Sequence, residues 1–192
     1  VTYTITPYLD GCSGVSTQVS VQVNPLPTLS IVGSSSICIG SSTTLSASGT
    51  GTSYSWTGIL NGNTSSITVS PVTNTTYTVT SILNSCSKTE SINVIVNPKP
   101  QVLTINEGCT LVEQVTNDVP YSVLNNSGST YSWKLPVGAS IATNSGSSVT
   151  VNYSSTALSG DVKVVETNSY GCKGDTAKLS VTVLPSGKVS IS

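Results

Sequence analysis

The sequence predicts an all-β chain built as a tandem of small antiparallel sandwiches, and three observations carry that expectation. Charged residues make up 8% of the 192 positions, against about 25% in an ordinary soluble chain. The surface is therefore Ser, Thr, Asn and Gly, which favour strands and turns because Thr is β-branched and Ser and Asn compete for backbone hydrogen bonds. Short runs alternate apolar and hydroxylated residues with period two, the signature of half-buried strands. Finally, the chain repeats itself at an interval of roughly 75 to 85 residues, longer than the 20 to 50 of a solenoid, so that each repeat should hold its own core.

The repeat is read most directly at Val1-Thr-Tyr-Thr-Ile-Thr-Pro-Tyr-Leu-Asp-Gly-Cys12, which matches Thr75-Thr-Tyr-Thr-Val-Thr-Ser-Ile-Leu-Asn-Ser-Cys86. The first copy runs on through Val19, Val21 and Val23 to Asn24-Pro-Leu-Pro27, the second through Ile92, Val94 and Val96 to Asn97-Pro-Lys-Pro100. A third copy is looser: Val162 and Val164, then Asn168-Ser-Tyr-Gly-Cys172, then Leu179, Val181 and Val183 before Leu184-Pro185. Each copy is strand, turn with Cys, strand and a Pro stop. Proline removes a ladder donor and holds its predecessor extended, so the Pro pairs mark boundaries. They divide the chain into 1–25, 26–98, 99–185 and a linker or next-module start at 186–192. Residues 1–25 are then the last two strands of a module, and because a lone hairpin is marginally stable, the remainder of that module is expected upstream.

Within 26–98 the alternation predicts strands at about 28–33, 42–48, 53–60, 63–70, 75–83 and 88–97, with a hairpin turn at Asn61-Gly62. Their inward faces are Leu45 and Ala47, Tyr54 and Trp56, Ile67 and Val69, Tyr77 and Val79, and Ile92, Val94 and Val96. Residues 100–185 repeat the plan with Tyr131 and Trp133, Val149, Val151 and Tyr153, Val162 and Val164, and Leu179, Val181 and Val183, with an insertion around 110–128.

Five cysteines, no His and no Cys-x-x-Cys argue for structural disulfides and against a zinc site. Each repeat has one Cys before its second strand and another in its last hairpin, which predicts Cys38–Cys86 and Cys109–Cys172 and leaves Cys12 unpaired in this segment, its partner lying upstream. Closing two such loops stabilises by roughly 4 kcal/mol each in the chain-entropy model, and disulfides imply an oxidising, extracytoplasmic compartment.

The composition also excludes function classes. A net charge of −1, with seven Lys scattered between Lys88 and Lys188, offers no basic stripe for nucleic acid. No apolar window reaches the length of a membrane-spanning helix. A Ser or Cys nucleophile would need a base, and there is no His, so no enzyme is expected. The eight carboxylates are dispersed without calcium-loop spacing, so neither metal nor cofactor is expected.

The motifs Cys38-Ile-Gly-Ser-Ser-Thr-Thr-Leu-Ser-Ala-Ser48, Tyr54-Ser-Trp56, Val69-Ser-Pro-Val-Thr-Asn-Thr-Thr-Tyr-Thr-Val-Thr80 and Asn97-Pro98 resemble the immunoglobulin-like repeats of large Bacteroidetes surface proteins. Residues 100–185 resemble the related PKD-like module, through Tyr131-Ser-Trp-Lys-Leu-Pro-Val-Gly-Ala-Ser-Ile141, Ser148-Val-Thr-Val151 and Glu166-Thr-Asn-Ser-Tyr-Gly-Cys172. The resemblance implies tandem immunoglobulin-like (PKD-like) sandwiches in a secreted or outer-membrane-attached protein exported by the type IX route, gliding-motility adhesins among them. It implies a structural spacer or stalk of a surface adhesin or filament. The alternatives are a glycan- or surface-binding module, with the 110–128 insertion as its reader, and an accessory module of a secreted enzyme. Neighbouring modules of the same chain are the expected partners, with polysaccharide or other cell-surface components as the alternative.

Tyr54, Trp56, Tyr77, Tyr131 and Trp133 are read as core aromatics, since each Tyr-x-Trp pair falls on one face of a strand. The competing reading of the tryptophans is a sugar-stacking platform, and Tyr8 and Tyr170, near turns, are the better candidates for exposure. Asp175-Thr176-Ala177 matches the Asp-Thr/Ser-apolar tripeptide at which such surface proteins are O-glycosylated, which makes Thr176 a candidate acceptor.

Overall fold

Period-two alternation becomes strand throughout the computed structural model, which describes residues 1–57 and 63–187. The chain is all-β, a tandem of immunoglobulin-like antiparallel sandwiches. Contacts divide it into two units, Val1–Ile37 with Ser42–Ile95 and Cys38–Ser41 with Val96–Ser192.

The first unit opens with β1 (Thr2–Ile5), β2 (Tyr8–Leu9), β3 (Cys12–Ser13) and β4 (Thr17–Ser20), a hairpin exposed along its length. Its tip is Asp10-Gly11, both at positive φ (47° and 81°), the conformation a two-residue hairpin turn demands. Residues 1–25, expected as the last two strands of a truncated module, group with this unit, and Asn24 Nδ2 donates to Asn84 O at 3.3 Å. Then come β5 (Leu29–Val32), β6 (Ser36–Cys38), β7 (Thr43–Gly49), β8 (Ser53–Trp56), β9 (Ser66–Val69), β10 (Thr75–Leu83) and β11 (Cys86–Asn97). They form the sheets β5-β7-β9 and β6-β11-β10-β8. The expected Asn61-Gly62 turn lies outside the described residues.

The inward positions Leu29, Leu45, Ala47, Trp56, Ile67, Val69, Tyr77, Val79 and Val94 are buried. Outward, hydroxyls face one another across the ladders: Thr44 and Thr68 at 3.2 Å, Ser46 and Ser66 at 3.1 Å, Ser30 and Ser48 at 2.9 Å, Thr78 and Ser91 at 2.7 Å. Each is a direct register pair, and such pairs contribute roughly 0.2–1 kcal/mol. Cross-strand hydroxyl pairing thus does on this surface what ion pairs do on a charged one.

The second unit contains β12 (Ile105–Glu107), β13 (Leu111–Glu113), β14 (Val119–Val123), β15 (Thr130–Lys134), β16 (Ala139–Asn144), β17 (Ser148–Tyr153), β18 (Gly160–Thr167) and β19 (Ala177–Leu184). Its sheets are β12-β14-β17-β16 and β13-β19-β18-β15, with β13 parallel to β19. Between them lies a core of Val112, Val119, Tyr121, Val149, Val151, Tyr153, Val162 and Val181. A second cluster joins Leu103, Val123, Val164 and Ala177 to Tyr131 and Trp133. The 110–128 insertion is woven into both sheets, as β13 and β14, and Tyr153 N donates to Thr116 O at 2.8 Å.

The disulfide expectation requires correction. Cys38 is bonded to Cys172, with their Cα atoms 5.6 Å apart, while Cys12, Cys86 and Cys109 are free thiols. Cys38 cannot reach Cys86. Ile39 N donates to Asn97 O at 2.9 Å, which fixes Cys38 beside the last residue of β11, whereas Cys86 is the first. Twelve residues of strand separate the two by about 36 Å at 3.3 Å per step, against a disulfide limit of roughly 7 Å between Cα atoms. Cys109 and Cys172 are also at opposite ends. Thr182 N donates to Thr110 O at 2.8 Å, next to the Gly160 end of β18, and Cys172 sits beyond its Thr167 end. The eight residues of β18 keep the two about 23 Å apart.

Candidate functional site

The residues with most to hold are those around the Cys38–Cys172 bond, which spans 134 positions. Residues Cys38–Ser41, part of the 26–98 repeat in sequence, belong to the second unit in space. The turn that presents Cys172 is built by Asn168. Its side-chain Oδ1 accepts from Tyr170 N (3.1 Å) and Cys172 N (3.0 Å), and its Nδ2 donates to Pro98 O (2.9 Å). Gly171, at φ 78°, closes the turn by donating to Asn168 O at 2.9 Å. An Asn whose side chain takes over the hydrogen bonds of a turn is a standard way to fix one. The Cys172 sulfur is fully buried and lies 4.0 Å from Asn97 O.

One element inward is Glu166, on β18, 2% exposed. Its carboxylate accepts from Asn126 Nδ2 (3.0 and 3.1 Å) and from Ser129 Oγ (2.6 Å), and its backbone O accepts from Gly174 N (2.8 Å). A buried carboxylate is tolerated when hydrogen bonds replace its water. Here they clamp the loop before β15 to the strand that leads into the Cys172 turn. Tyr131 adds to the clamp: its hydroxyl accepts from Asn126 N (2.7 Å) and donates to Leu124 O (3.1 Å).

The other singled-out aromatics occupy separate places. Trp56 is buried and donates from Nε1 to Thr64 O at 3.0 Å; Trp133, half-buried, donates to Gly146 O at 2.8 Å. Tyr77 is buried, and Tyr54 donates from its hydroxyl to Gly49 O at 3.2 Å. Tyr8 and Tyr170 are exposed, and Thr176 is exposed just before β19.

Two buried hydroxyls meet inside the second unit, Tyr121 and Tyr153 at 2.8 Å, and Tyr121 donates onward to Cys109 O at 3.1 Å. Burial, with a smaller contribution from the Tyr153 hydrogen bond, pushes the Tyr121 phenol far above its ordinary range, and burial raises Tyr153 as well. On the surface, Ser180 donates to Asp161 at 2.9 Å and, with Lys163 nearby, holds that carboxyl below the usual range.

Among the described residues no three His, Cys, Asp or Glu converge as a metal site, and no helix is long and apolar enough to cross a membrane. Glu166, Asn126, Ser129 and Asn168 were not anticipated as a group. The one available signal was Glu166 falling in phase with Val162 and Val164, a charge on an inward face.

Residues 99–183 match the family model of the PKD-like domain. Among solved structures, the chain is similar to the N-terminal eight immunoglobulin domains of Down Syndrome Cell Adhesion Molecule, at 17% identity and TM-score 0.49. The likeness covers 95% of this chain and 28% of that one. An I-band fragment of titin follows at 17% identity and TM-score 0.43, with 84% and 66% covered. Murine CEACAM1b gives 11%, TM-score 0.43, and 82% and 100% covered. The chain therefore spans less than two thirds of the length of the first two structures it matches. No curated protein matches it.

Proposed function

We propose that this chain is a spacer or stalk segment of a large bacterial surface adhesin or filament, its modules bearing load and carrying no chemistry of their own. The observation that supports this reading most is the Cys38–Cys172 bond, which ties cysteines of successive sequence repeats across 134 positions. A bond of that span stabilises by about 5 kcal/mol in the chain-entropy model and makes most of the polypeptide inextensible. The near-neutral, hydroxyl-paired surface fits a segment that passes close to polysaccharide without being held by charge. Type IX export, gliding motility and O-glycosylation at the exposed Thr176 belong to the same proposal and rest on the sequence resemblance.

Single-molecule pulling from the two termini tests it. Oxidised chain is expected to extend by about 20 nm, the reach of the residues outside Cys38–Cys172, and reduced chain by about 65 nm, at roughly 3.5 Å per residue. Full extension at low force under oxidising conditions would contradict a load-bearing role. A glycan-array screen addresses the binding alternative.

A further inference from the structure

The geometry points to a second disulfide of the same inter-repeat kind: we propose that Cys86 bonds to a cysteine on a β6-like strand of a preceding module, seated against Asn24. Three observations carry this. First, Cys86 stands to Asn24 as Cys172 stands to Asn97. The Cys86 thiol lies 3.8 Å from Asn24 O and the Cys172 sulfur 4.0 Å from Asn97 O, and Asn24-Pro-Leu-Pro27 and Asn97-Pro-Lys-Pro100 are the same motif. Second, Asn97 O also accepts from Ile39 N at 2.9 Å, which sets Cys38 within bonding reach of Cys172; the place beside Asn24 that corresponds to Ile39 is taken by no described residue.

Third, the β1/β4 ladder reproduces β10/β11. Tyr3 pairs with Val19 as Tyr77 pairs with Ile92, and Leu9 pairs with Cys12 as Leu83 pairs with Cys86. Yet β11 has β10 on one side and β6 on the other, whereas among the described residues β4 has β1 alone, and Val19, Val21 and Val23 are exposed. The open edge of β4 is thus the template for a β6-like strand, and the cysteine ending that strand meets Cys86. Cys109 does not belong to this scheme. Gln114 N donates to Leu184 O at 2.9 Å where Ile39 N donates to Asn97 O, so Glu113 holds the position of Cys38.

The reaction is ordinary thiol–disulfide exchange. Two thiols lose two protons and two electrons to a small-molecule disulfide such as oxidised glutathione, which leaves as two thiols. The proposal deepens the spacer reading, but its test reads connectivity and not force, so failure of one is distinguishable from failure of the other.

The test extends the full chain by placing a second copy of residues 26–74 directly before Val1, with Ile39→Val in the added copy as a mass tag. After oxidation with glutathione and blocking of free thiols, the chain is cleaved after aromatic residues, because no Lys or Arg precedes Lys88, and also after Lys, so that Lys88 parts Cys86 from Cys109; bonds are then mapped by mass spectrometry. The expected map joins the tagged copy of Cys38 to Cys86 and leaves Cys12 and Cys109 blocked. A bond from the tagged copy to Cys12 or Cys109, or a free tagged copy alongside an intact Cys38–Cys172, overturns the proposal. A second arm needs no refolded extension. A synthetic peptide of residues 33–43, as its mixed disulfide with glutathione, is presented to the 192-residue chain. It is expected to attach to Cys86 in preference to Cys12 and Cys109, although these are the more exposed thiols; attachment that follows exposure overturns the proposal.

Discussion

Val115 sits at φ 65°, a conformation that a β-branched side chain adopts only under constraint. The constraint is visible on both sides, where Gln114 N donates to Leu184 O and Thr116 O accepts from Tyr153 N. Val115→Gly relieves the strain while keeping those bonds, and is expected to stabilise the second unit by about 1 kcal/mol in thermal unfolding. Ser129 works in the opposite sense. Its hydroxyl donates to the buried Glu166 carboxylate at 2.6 Å, and Ser129→Ala is expected to cost about 2 kcal/mol, typical of a bond to a charged group, read by denaturant titration. Individual residues were legible in the sequence where they alternate. The strand faces of Leu45, Ile67, Tyr77 and Val79 follow from period two alone. Glu166 was harder, because its donors come from a loop some forty positions away and no local pattern announces them.

At the scale of elements, β14 and β17 carry Tyr121 and Tyr153, and the buried hydroxyl pair between them gives the second unit a pH dependence. An unfolded tyrosine ionises near 10. In the fold both are held above that value, chiefly by burial, so their stabilisation is complete below about pH 10 and is lost as pH rises beyond it. Each tyrosine then costs up to about 1.4 kcal/mol per pH unit. Tyr153→Phe is expected to halve the slope of stability against pH above 10, measured by urea unfolding, while an unchanged slope would remove the pair as its source. Most strands were legible, Thr75–Leu83 to the residue. β6 was not: three residues, Ser36–Cys38, are too few to show a period, and only its pairing partner at the far end of β11 reveals it.

Over the whole molecule, the repeat made the tandem all-β architecture legible, and the internal copies located the cysteines. The repeat did not say which copies they join. Sequence equivalence suggests a staple inside each module, whereas strand direction puts Cys38 and Cys86 at opposite ends of β11 and brings Cys38 to Cys172. Replacing Cys38 with Ser is therefore expected to lower the stability of the oxidised chain by about 5 kcal/mol in the chain-entropy model, and the same loss is expected on reduction. The most direct measurement is a non-reducing peptide map of the oxidised 192-residue chain, with free thiols blocked beforehand. The structure predicts one linked pair, Cys38 with Cys172, and blocked thiols at Cys12, Cys86 and Cys109; linked pairs Cys38–Cys86 and Cys109–Cys172 would contradict it.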